Sequence, residues 1–114
     1  MTESPFTLIA GDRGELLGEL PIEAGEVRTR RIFKGAGVTL MRLSLDAGAV
    51  LKEHTAQVPI LVEVLSGHAT MTFDGAAVDM PEGAVIHIDA LVPHSVEAIA
   101  PTQLLLTQTA RPAR

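Results

Sequence analysis

The sequence predicts an all-β fold closed into a barrel, and three features of its 114 residues point there. Glycine and proline cut nearly the whole chain into short apolar pieces. Turn signals recur at roughly 8–12 residue intervals, the spacing expected of a sandwich or barrel. No stretch sustains helical periodicity: the early candidate, Leu16 to Leu20, is confined by Gly14, Gly18 and Pro21 to a turn or so.

The strands follow in order. Glu26 to Phe33 alternates polar and apolar residues, and Lys34 to Gly37 is a turn signal. Val38 to Leu45 reads as a second strand, apolar on both faces except at Arg42 and Ser44, and Asp46 to Gly48 ends it. A third segment covers Ala49 to His54. Pro59 to Leu65 is rich in β-branched residues, which suit a pleated surface. Ser66-Gly67 turns into Ala69 to Phe73, and Asp74-Gly75 is a hairpin signal leading to Ala76 to Met80. Pro81 to Gly83 precedes Ala84 to Ile88, and Ser95 to Ile99 and Leu104 to Thr109 complete the set. The expectation is one domain over residues 1–114, with a frayed tail.

Composition narrows the function. A hydrophobic fraction of 46% builds a core without cross-links, and the absence of cysteine excludes disulfides, thiolate metal sites and a cysteine nucleophile. The formal net charge of -5 disfavours binding to phosphate backbones, so no nucleic acid partner is expected. No apolar run approaches a membrane span, and the start of the chain lacks the signature of a secretory signal, so a cytoplasmic protein without a membrane partner is expected. With three Phe and no Tyr or Trp, Val, Leu, Ile, Ala and Met must fill the interior. Barrel volume is set by strand number, so short aliphatic side chains can leave a cavity. Apolar residues on both faces of VTLMRLSL and PILVEVL exceed what a monomer buries inside, and they point to a homodimer.

Two motifs carry a resemblance. Gly48 is followed by AVLKE and then His54, with Gly67 further on; Gly83 is followed by AVIHI, with His94 further on. In order and spacing these residues resemble the two motifs of the cupin superfamily. The first is a glycine, five residues, His-x-His, a Glu and a closing glycine. The second is a glycine, five residues, Pro-x-Gly, two residues, a His and an Asn. The match spans about Leu43 to Ile99, and it implies a double-stranded jelly-roll β-barrel. The resemblance also implies a divalent metal (Zn, Fe, Mn or Ni) held by two histidines and the glutamate of motif one with the histidine of motif two. Here the second histidine position is Ala56, and the glutamate position is Ile60, or Leu61 under the longer spacing. Asp89 and Leu91 replace the Pro and Gly of motif two, and Ala98 replaces its Asn.

His54 and His94 are therefore the expected ligand-binding pair. The family's strand phase turns Val85 and His87 inward, which would make His87 a third donor beside them, whether for a ligand or a metal. His68 follows a glycine turn and is expected in solvent. Alternation back from Gly67 places Val62 and Val64 inward and Glu63 outward. Gln57 and Glu53 flank His54 and are expected at the loop surface. Arg42, set in an apolar strand, needs a partner because desolvating it alone costs several kcal/mol; a salt bridge to Asp or Glu is the expected one, with a ligand carboxylate the alternative. The favoured function is a small-molecule-binding barrel; the alternative is a metal-dependent enzyme of dioxygenase, isomerase or decarboxylase type. A cupin-type sugar epimerase is disfavoured, since those enzymes use a tyrosine and none exists here.

Overall fold

The computed structural model describes residues 5–109. Among the described residues nine strands follow one short helix: α1 (Arg13–Gly18), β1 (Val27–Lys34), β2 (Val38–Leu45), β3 (Val50–His54), β4 (Ile60–Ser66), β5 (His68–Phe73), β6 (Ala76–Pro81), β7 (Val85–Ile88), β8 (His94–Ala98) and β9 (Thr102–Thr109). They form a five-stranded sheet, β1-β2-β9-β4-β7, and a four-stranded sheet, β3-β8-β5-β6. Every recorded pairing is antiparallel. The expected all-β jelly-roll architecture is what the chain adopts.

Period-two alternation decides which face of each strand is buried. Leu43, Leu45, Ile60, Val62, Val64 and Leu104 from the larger sheet meet Ala69, Met71, Val96 and Ala98 from the smaller one. Gly67 is required by close approach: its φ is 97°, and a Cβ there would lie 2.2 Å from the Pro101 carbonyl oxygen. Buried Thr102 seals the same crossing, its hydroxyl accepting from the His68 N–H at 3.1 Å.

Arg42 departs from expectation. It is fully buried on the outer face of β2, and its partners are neither a carboxylate nor a ligand. Its guanidinium donates to the carbonyls of Leu16 at 2.9 Å, Leu17 at 3.3 Å and Leu20 at 3.3 Å. It also donates to the Leu104 carbonyl at 2.6 Å, the Leu43 carbonyl at 3.0 Å and the Gln103 side chain. A helix end leaves carbonyls without intrahelical partners and favours a cation. Arg42 supplies both the donors and the charge, which pins α1 and the following turn to the sheet. Ser44 reinforces the clamp by donating to the Leu20 carbonyl. Burial lowers the Arg42 pKa from its ordinary value, with nearby Glu19 acting in the opposite sense.

Candidate functional site

A cavity of about 590 Å³ opens between the sheets, within the size range of small-molecule sites. Its walls are Met41 and Leu43 of β2, Leu51 of β3, Ile60 of β4 and Leu106 of β9, the aliphatic lining that the scarcity of aromatics predicts. Polar atoms come from His54, His94, Thr29, Thr55, Gln57 and Gln108, and no carboxylate lines it.

His54 and His94 are register partners across β3 and β8, and their ring centroids lie 4.3 Å apart at an interplanar angle of 64°. A bulge between Leu51 and His54 makes this possible. By strict alternation Leu51 and His54 would face opposite sides; the extra residue brings both onto the cavity wall. His94 is 2% exposed and packs on its other side against Phe73, centroid to centroid 6.4 Å.

The backbone fixes both imidazoles. His54 Nδ1 lies 2.8 Å from the Lys52 carbonyl oxygen, and His94 Nδ1 lies 2.9 Å from that of Val92. A carbonyl only accepts, so each Nδ1 carries a proton, and the neutral tautomer this selects has its lone pair on Nε2. The His94 pKa is lowered, chiefly by burial; the Val92 contact opposes this, and His54 adds to it. His94 is accordingly a neutral hydrogen-bond acceptor at physiological pH.

The remaining motif positions converge on the same cavity without donors. Ala56 and Ile60 both line it, while Leu61 points outward at 38% exposure, so the motif glutamate's place is taken by Ile60. Among the described residues no group of three or more His, Asp or Glu could hold a metal ion. Two imidazoles with methyl groups at the other two positions do not fit the four-ligand metal centre that the resemblance implies.

His87 corrects the sequence expectation. Its side chain is 55% exposed on the outer face, with Nδ1 3.9 Å from an Asp89 carboxylate oxygen. The opposite phase of β7 buries Ile88 and packs Ile86 and Ala84 against the core. Burying an isoleucine contributes about 1.5–3 kcal/mol, so inverting the strand to bring His87 inside would forfeit two such terms. The apolar alternation Ala84, Ile86, Ile88 was the readable signal. His68 lies half-exposed beside Asp79 as expected, and Val62, Val64 and Glu63 take their expected phase. Gln57 is exposed on the loop after β3, as expected, and also lines the cavity. Thr29 and Gln108 also line it without a motif signal; each is a polar residue in phase with a partly buried neighbour packed on the core, Thr29 with Val27 and Gln108 with Leu106. A second cleft of about 410 Å³, between α1 and β4, is walled by Asp12, Arg13, Glu63 and Glu82 and contains no histidine.

One strained residue borders the site. Leu91 occupies the motif-two glycine position and keeps a glycine-like φ of 68°, where an L side chain costs roughly 1–2 kcal/mol. Its N–H donates to the Ala56 carbonyl at 2.8 Å, tying the segment before His94 to the segment after His54.

No protein-family model and no curated protein matches the chain. Solved structures do. A cupin-superfamily protein from Desulfitobacterium hafniense is 18% identical with a TM-score of 0.76, over 97% of this chain and 94% of that one. The chain has the cupin fold. Another cupin, an RmlC-like protein from Desulfovibrio desulfuricans, is 22% identical with a TM-score of 0.73, covering 79% of this chain and 88% of its own. A conserved protein of unknown function from Streptococcus pyogenes is 27% identical with a TM-score of 0.78, over 98% and 93% of the two chains. The cupin barrels similar to this one include enzymes, among them a salicylate 1,2-dioxygenase from Pseudoaminobacter salicylatoxidans at 16% identity and a TM-score of 0.68, of which 30% is covered by 82% of this chain. Among the described residues no helix is long and apolar enough to cross a membrane.

Proposed function

We propose that this cupin-fold protein binds a small, largely apolar molecule in the barrel and anchors it by an O–H or N–H group donated to Nε2 of His54 or His94. The observation that carries this reading is the pairing of two imidazoles held by backbone carbonyls with an aliphatic cavity of about 590 Å³. Apolar walls supply the burial and a few placed polar groups fix orientation. Titration with 1-octanol, followed by nuclear magnetic resonance, tests it. The His94 ring and the Met41 and Leu106 methyl signals should shift together, and His94→Ala should weaken binding about tenfold, the loss of one hydrogen bond. Shifts confined to outer-face residues would overturn the reading.

The metal-dependent enzyme is the competing function. Elemental analysis of untagged protein distinguishes the two: stoichiometric metal that survives dialysis and is lost in His94→Ala would favour the enzyme. The outer face of the larger sheet supports self-association in either case. Helix α1 covers its Arg42–Ser44 end, leaving Leu61 and Val85, 38% and 59% exposed, for a second copy. Light scattering should give twice the 12.0 kDa chain mass at tens of micromolar; a monomer there would refute the dimer.

A further inference from the structure

The three arginines of β1 divide by face. Arg28 and Arg30 point to the outer side, where they donate to the carbonyls of Pro21 at 2.7 Å and Glu19 at 3.1 Å. Arg31 has the opposite phase and pairs in register with Met41, a cavity residue. Directly opposed residues of an antiparallel pair emerge on the same face. The Arg31–Met41–Leu106 row is flanked by two rows that also supply cavity walls: Thr29 with Leu43 on one side, Ile60 with Gln108 on the other. Because β1 is the edge strand, Arg31 ends its row at the sheet edge, just before the register shift between Arg31 and Phe33, where it is exposed beside the cavity walls and not among the residues lining them.

The charge is uncompensated there. The ion pairs of the described residues involve Arg13, Arg28, His68 and His87, and none involves Arg31. The cavity lining has no Asp or Glu, and the deep histidine is neutral. A guanidinium presents a planar fork of donors that matches a carboxylate bidentately.

From this we infer that the ligand is a small carboxylate. Its apolar body lies between the sheets, its anionic end on Arg31 at the sheet edge, and its hydrogen-bond donor on the histidines. This rests on the proposed small-molecule site and adds the charge of the ligand and the residue that selects it.

The test compares 8-hydroxyoctanoate with its primary amide, which keeps the length and the hydroxyl but removes the charge. Calorimetry at low salt should give about tenfold tighter binding of the carboxylate, shrinking as ionic strength rises. In Arg31→Gln the two should bind equally, at the affinity of the amide to the unaltered protein. Since Arg31 is exposed, this variant should retain the parent melting temperature. Equal affinities in the unaltered protein, or a preference that survives Arg31→Gln, would overturn the inference while leaving the small-molecule site intact. Failure of both compounds and of 1-octanol to perturb His94 would overturn both.

Discussion

If residues 56 and 60 share one centre with His54 and His94, restoring the missing donors should create a metal site. The double substitution Ala56→His and Ile60→Glu makes that test, because all four positions line one cavity. Ile60 is 1% exposed, so the metal-free variant loses about 1.5–3 kcal/mol of side-chain burial and carries a carboxyl group with no partner. The expected loss of stability is about 3–5 kcal/mol. Metal reverses the sign, since an ion that binds the folded state alone at a thousand times its dissociation constant stabilises by about 4 kcal/mol. For a domain of this size that corresponds to a rise in melting temperature of about 15 °C or more. Zinc titration by thermal unfolding reads the shift, and cobalt absorption reports the ligand field. The unaltered protein should show a much smaller zinc response. A variant that is folded by circular dichroism yet shows no zinc shift and no cobalt band would refute the placement of these four positions around one point.

Three further outcomes are expected. Arg42→Met should destabilise by about 3–5 kcal/mol, because the Leu43, Leu104 and Leu20 carbonyls lose their charged donor, and hydrogen exchange should accelerate first over residues 13–20; a loss under about 1 kcal/mol would contradict the clamp. Leu91→Gly should raise stability by about 0.5–1 kcal/mol in urea unfolding, the relief of a φ of 68° less the added freedom of the unfolded chain, and destabilisation would count against strain there. Burial lowers the His94 pKa, so the unfolded chain takes up that proton first as pH falls; stability should decline below about pH 6.5, be independent of this residue above it, and lose that slope in His94→Gln.

Local chemistry made much of the fold legible. Val38–Leu45 is a strand over the residues its pattern marks, and Asp74-Gly75 joins two strands whose ladder closes at Phe73 and Ala76. The two motif histidines meet as register partners across β3 and β8, as their motif positions imply. Two features were beyond local pattern. The carbonyls of Leu16, Leu17 and Leu20 that receive Arg42 lie 22 to 26 residues upstream on the chain, and nothing in either segment names the other as its partner. A bulge, not alternation, turns His54 inward, and bulges leave no period-two trace. His87 is the reverse case: the period of Ala84, Ile86 and Ile88 marks the buried face of β7 and leaves His87 on the other, against the phase the resemblance implies.

The two imidazoles of the cavity are oriented by main-chain oxygens of Lys52 and Val92, not by side chains. Carboxylate or amide partners can be mutated away, whereas these anchors survive any substitution that leaves the backbone in place. The barrel thus separates what holds its acceptors from what shapes their surroundings. Redesign of the cavity for a new guest can proceed through Met41, Leu43, Leu51 and Leu106, changing volume and contour, while the orientation of both rings stays constant. The same scaffold could therefore serve as a host in which recognition geometry is held fixed and only the mould is varied.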